Sequence, residues 1–199
     1  MKYITASLAL AATLCAPAAW ALSVFSISNG PSTGGLGTFS GTVTYDPTAA
    51  DELTISITNT SPVSNGGFIT GIAFNLGGTV TSLTEPFTGN TTPDNTFQEN
   101  PSVAPYGSRD WGSSLRANWL GGGPPNRGVG VGEMGVWTFD VVDGPASLDY
   151  SQLALVVRFR GFEDGESDKV TAVPEPEAYA LMLAGLGVIG FMARRRKFD

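Results

Sequence analysis

Between residues 22 and 172, apolar and polar side chains alternate in short runs, and each run ends at Gly, Pro, Asn or Ser. A period of two puts successive side chains on opposite faces of an extended chain, which is the reading of a half-buried strand. Residues 22–27 open the series, and Phe39, Gly41, Val43 and Tyr45 share one face of the next run. Leu53, Ile55 and Ile57, interleaved with Thr54, Ser56 and Thr58, give the clearest alternation. The short polar connection through Asp46 and Pro47 predicts that these two runs pair as a meander. Alternation resumes over residues 68–76, and Gly77-Gly78 predicts a hairpin with residues 80–83 as its return strand.

Residues 84–127 lose the period and hold six prolines together with Phe87, Phe97, Tyr106, Trp111 and Trp119. A structureless loop of that length is uncommon in a compact domain, so one or two irregular strands are expected within it, near residues 114–119. Order returns over residues 128–142 and 153–159. Asp143-Gly144-Pro145 turns the chain between them, and residues 147–152 suit a short helix or turn. Residues 161–169 read as an acidic loop. About seven to nine short strands at this spacing predict an all-β fold, an antiparallel β-sandwich of the jelly-roll or immunoglobulin-like kind.

Both ends of the chain depart from this pattern. Lys2, the apolar residues 4–14 and the small-x-small sequence Ala19-Trp20-Ala21 make residues 1–21 a signal peptide. At the other end Val173, Pro174, Glu175 and Pro176 precede an apolar run over residues 178–193, and Arg194, Arg195, Arg196 and Lys197 follow it. As a helix this run would measure roughly 24 Å against a hydrocarbon core of about 30 Å, so it makes a short transmembrane helix aided by snorkelling flanks. The basic cluster acts as a stop and stays in the cytoplasm, which places the rest of the chain outside.

The Pro-Glu-Pro, the short Gly- and Leu-rich helix and the terminal basic cluster together resemble the PEP-CTERM sorting signal of Gram-negative bacteria. The resemblance implies an exosortase as partner, a membrane enzyme of the transpeptidase kind that cuts near the Pro-Glu-Pro. It also implies transient membrane anchoring through the C-terminal helix, then delivery to the cell surface or an exopolysaccharide matrix. The expected organisation is a signal peptide over 1–21, an extracytoplasmic β-domain over 22–172 and a sorting segment over 173–199.

Composition narrows what the β-domain can do. The chain contains no histidine, and its single cysteine, Cys15, lies in the signal peptide. Ser-His-Asp and Cys-His catalysis and the usual zinc sites are therefore excluded, and the exported domain has no disulfide. Six basic residues stand against fifteen acidic ones between residues 22 and 173. A surface of that sign disfavours nucleic acid.

The remaining candidates are few. Glu163, Asp164, Glu166 and Asp168 offer oxygen ligands that a calcium ion could use, although their spacing is not that of an EF-hand, and a solvated acidic turn reads as well. The sequence Gly130-Val131-Gly132-Glu133-Met134-Gly135 has the form of a dinucleotide fingerprint but precedes a β run, so its glycines read as bends or close packing. Asp110 with Glu133 could be cast as a glycosidase pair, as can chance pairs in any acidic protein. Trp111 and Trp119 lie beside Arg109, Asp110, Arg116 and Asn118. They are the candidate glycan contacts of a carbohydrate-binding module, or else plugs over the core. The expectation is a non-enzymatic structural or adhesive matrix component without a cofactor.

Overall fold

A computed structural model describes residues 22–48, 52–86, 95–115, 119, 123–175 and 183–189. The expected signal peptide, Pro176 and the four basic residues at the C-terminus lie outside the described residues. The described residues form ten strands: β1 (Ser23–Ser32), β2 (Phe39–Asp46), β3 (Glu52–Asn59), β4 (Gly66–Phe74), β5 (Thr79–Pro86), β6 (Asn95–Glu99), β7 (Trp111–Leu115), β8 (Met134–Val142), β9 (Val156–Phe162) and β10 (Ser167–Pro174). A single helical turn, α1 (Tyr150–Leu153), precedes β9, with the Asp149 side chain accepting the Ser151 N–H at its start.

All ten strands belong to one antiparallel sheet in the order β5-β8-β3-β2-β1-β10-β9-β4-β7-β6. Instead of the two packed layers expected, the sheet rolls up until β5 and β6, its two ends, come into contact, so that it nearly closes into a barrel. This contact partly covers the two edges that an open sheet would present. The interior is filled from β1, β2, β3, β4, β8 and β9 by Ile27, Val43, Tyr45, Leu53, Ile55, Ile57, Phe74, Phe139, Val157 and Phe159, none of which retains solvent exposure.

The pairing of β2 with β3 runs in register from Phe39↔Asn59 to Asp46↔Glu52, as the meander requires. The expected hairpin at Gly77-Gly78 does not form. Both edges of β4 are occupied, by β7 and β9, and β5 pairs with β8 instead. Gly78, at φ +138, passes so close to the Gly144 backbone that a Cβ there would lie 2.8 Å away, and the chain crosses at this point to the far end of the sheet order. The irregular region supplies β6 and β7, with β7 starting three residues before the stretch near 114–119 where a strand is expected. Residues 161–169 are a tight hairpin rather than a loop, because β9 extends to Phe162 and β10 begins at Ser167.

The apolar run of the tail is described over 183–189, where it is helical, and Leu183, Leu186, Val188 and Ile189 are exposed. Among the described residues no helix is long and apolar enough to cross a membrane.

Candidate functional site

The first residues of the Pro-Glu-Pro segment are part of the sheet. β10 lies between β1 and β9, pairing with β9 over Ser167 to Thr171 and with β1 as far as Pro174. Its last pairs are Asn29↔Ala172, Ser28↔Val173 and Ile27↔Pro174. One residue further, the Glu175 N–H donates to the Ser26 carbonyl at 3.4 Å. Ala172 is buried and held from the other side as well, since its N–H donates to the Leu155 carbonyl at 2.9 Å and its carbonyl accepts the Tyr150 hydroxyl. Val173 lies over Gly30, where an added Cβ would come within 2.7 Å of Val173 Cγ1. The sequence alone placed a domain boundary at 172, whereas the strand runs on through Pro174.

The start of β10 is fixed by a buried carboxylate. Asp168 has no solvent exposure and accepts hydrogen bonds from the loop between β1 and β2. The donors to Oδ1 are the N–H groups of Thr33 at 3.0 Å and Gly34 at 2.8 Å, with the Thr33 hydroxyl at 2.9 Å. Oδ2 accepts from the N–H groups of Leu36 at 2.9 Å and Gly37 at 3.0 Å, and the Ser32 hydroxyl reaches both oxygens. Burial pushes this carboxyl up, but the bonds from Gly37, Ser32, Gly34 and Leu36 outweigh it and hold Asp168 below the ordinary carboxylate range. Two glycines of the loop matter here: Gly35 takes φ +69, and at Gly37 a Cβ would lie 2.6 Å from the Phe159 ring, so glycine lets the backbone bend its N–H groups onto the anion.

This placement separates the four candidate calcium ligands. Glu163, Asp164 and Glu166 are exposed at the β9–β10 turn, while Asp168 points inward with its oxygens already engaged. Among the described residues no group of three or more His, Cys, Asp or Glu side chains is placed to hold a metal.

The two tryptophans take different positions. Trp119 is 1% exposed and packs with Ala73, Val103 and Val156, its Nε1–H donating to the Ile72 carbonyl at 2.9 Å. The Arg158 guanidinium lies 5.7 Å from its ring centre and donates to its carbonyl. Burial, then the neighbouring Arg160, lowers the Arg158 pKa to about 10, which still leaves it charged at neutral pH. Trp111 is half-buried and stacks on Phe97, with ring centres 5.4 Å apart and planes 14° from parallel. Trp119 therefore offers no face to a sugar, and the pair does not form a shared exposed platform. Asp110 is engaged by the Leu76 N–H at 3.2 Å, and Glu133 accepts the Gly130 N–H at 2.9 Å within the turn before β8. Gly130 and Gly132 shape that turn, and Gly135 packs beneath Trp137, so these glycines serve bends and close packing as expected.

A different surface adjoins the Pro-Glu-Pro. The outer face of β1, β2 and β3 presents cross-strand rows of hydroxyls, Ser26↔Thr42↔Ser56 and Ser28↔Ser40↔Thr58. A shallow hollow of about 270 Å³ opens there, lined by Ser26, Ser40, Thr42, Ser56 and Thr58, with Glu175 at its margin. The sequence displayed these residues only as the polar half of each alternation, and pairing brought them together.

Residues 172–197 match the model of the PEP-CTERM protein-sorting motif. The motif marks the chain as an exported protein sorted by an exosortase, destined for the surface or the extracellular space. Comparison with curated proteins and with solved structures finds no match. The matched segment begins at Ala172, so it shares Ala172, Val173 and Pro174 with β10.

Proposed function

We propose that the β-domain is a non-enzymatic structural or adhesive component of the envelope or extracellular matrix, associated there with exopolysaccharide. The tail anchors it in the membrane until an exosortase releases it. The observation that carries this reading is the sorting motif over residues 172–197, joined without a linker to the last strand of the domain. The hydroxyl rows on β1, β2 and β3 support the polysaccharide part, because Ser and Thr both donate and accept and can exchange hydrogen bonds with sugar hydroxyls without a charged partner.

The sorting part is tested in a Gram-negative host that carries an exosortase. Replacing Arg194, Arg195, Arg196 and Lys197 with Gln weakens the membrane stop and releases uncut protein, since charged side chains oppose passage through hydrocarbon. Replacing Pro174, Glu175 and Pro176 with Ala leaves the anchor intact and blocks processing, so uncut protein collects in the inner membrane. Surface-delivered protein that still carries the basic cluster would refute sorting by cleavage. For the matrix part, the purified domain is sedimented with exopolysaccharide from the expressing strain. The reading predicts cosedimentation that Thr42→Asp weakens, and it fails if the domain stays in the supernatant.

A further inference from the structure

We infer that β1 shields the head of the sorting motif, so that the processing cut falls no earlier than the bond after Glu175 and the whole of β10 stays with the released domain. This rests on the sorting reading and deepens it by fixing the N-terminal limit of the processed bond. A transpeptidase must take its substrate as an accessible extended segment whose backbone groups are free to pair with the enzyme. Ala172, Val173, Pro174 and Glu175 do not meet that condition in the folded domain. Three of them are paired with β1, and the Glu175 N–H is bonded to Ser26. Ala172 is bonded in addition to Leu155 and Tyr150.

The consequence for the product points the same way. A cut before Pro174 would strip β1 of its partners at Ile27 and Ser26, lengthening the stretch of β1 that has no β10 neighbour. A cut after Glu175 leaves every pair in place. The antiparallel pairing of β1 with β10 also brings the start of the domain beside its end, because Ser26 in the first strand meets Glu175 just past the last. Ser23 at the start of β1 and Pro174 at the end of β10 thus lie toward the same end of this strand pair.

The test uses the full chain in a host with an exosortase, and mass spectrometry of the released protein reads its C-terminus. We expect every released form to retain Glu175. A mature C-terminus at Pro174 or earlier overturns the inference. A second variant examines the shielding directly. Ser28→Cys with Val173→Cys places two thiols at opposed positions of an antiparallel pair, where the Cα separation suits a disulfide. The oxidised double variant should be processed at the rate of its own reduced form, because the paired segment need not open. Processing that occurs only after reduction overturns the inference while leaving sorting itself intact. Failure of the sorting reading looks different: the wild-type chain would then reach the surface uncut, and both proposals would fall.

Discussion

The carboxylate of Asp168 accepts the N–H of Gly37 across 131 residues of chain, at 3.0 Å and in a position closed to solvent. Gly37 has no room for a side chain, since a Cβ would lie 2.6 Å from the Phe159 ring. The bond therefore ties the β1–β2 loop to the start of the strand that enters the sorting motif.

Asp168→Asn should cost about 2–4 kcal/mol at neutral pH, because an amide places a donor where N–H groups and hydroxyls converge and removes the charge that strengthens those bonds. Urea denaturation of the purified domain measures it. The sign with pH follows from the direction of the shift. The folded pKa is depressed, so the wild-type contribution is fully present above the unfolded value of about 3.9 and is lost as pH falls through the folded one. The variant should lack that part of the acid limb, and the two stability curves should converge as the pH drops. Parallel curves would remove Asp168 from the account of acid sensitivity.

Trp119→Ala should destabilise the domain by about 3–5 kcal/mol, the range for removing a buried large aromatic. Trp111→Ala should cost less, since that ring is half-buried and its main loss is the stack on Phe97. Melting temperatures rank the two. Equal, small shifts would argue that Trp119 is not the packed residue described.

Gly41→Ala places a Cβ 2.1 Å from the Ser56 carbonyl, and that neighbour is backbone that cannot rotate away. The β2–β3 pair would have to separate, at a cost of roughly 1–3 kcal/mol or more. Gly35→Ala meets nothing within 4 Å, and its penalty comes only from φ +69. The larger loss is expected at Gly41, as thermal unfolding of the two variants would read out.

Reductant should leave the melting temperature of the domain over residues 22–175 unchanged, because Cys15 precedes it and no disulfide exists to lose. A shift on adding dithiothreitol would show that the sample begins before residue 22 and still carries Cys15.

Alternation in the sequence was enough to place β2, β3 and β8 and the inward faces of Ile55, Phe139 and Phe159, since a period of two can bury only one set of side chains. The tail too was legible locally, because its Pro-Glu-Pro, apolar run and basic cluster are contiguous along the chain. What the pattern does not carry is neighbourhood. A sandwich and a rolled sheet bury the same faces, and only long-range pairing put β5 beside β8 and gave both edges of β4 to other strands. Asp168 reads in sequence as one more acid in a polar turn, and its role comes from loop N–H groups more than 130 residues away. The same holds for Val173 and Pro174: composition marks them as the start of a tail, while the strand they form with β1 makes them the end of the domain. Local chemistry settled which residues face inward and where the chain is addressed, and tertiary pairing decided which backbone groups remain free for another protein to take.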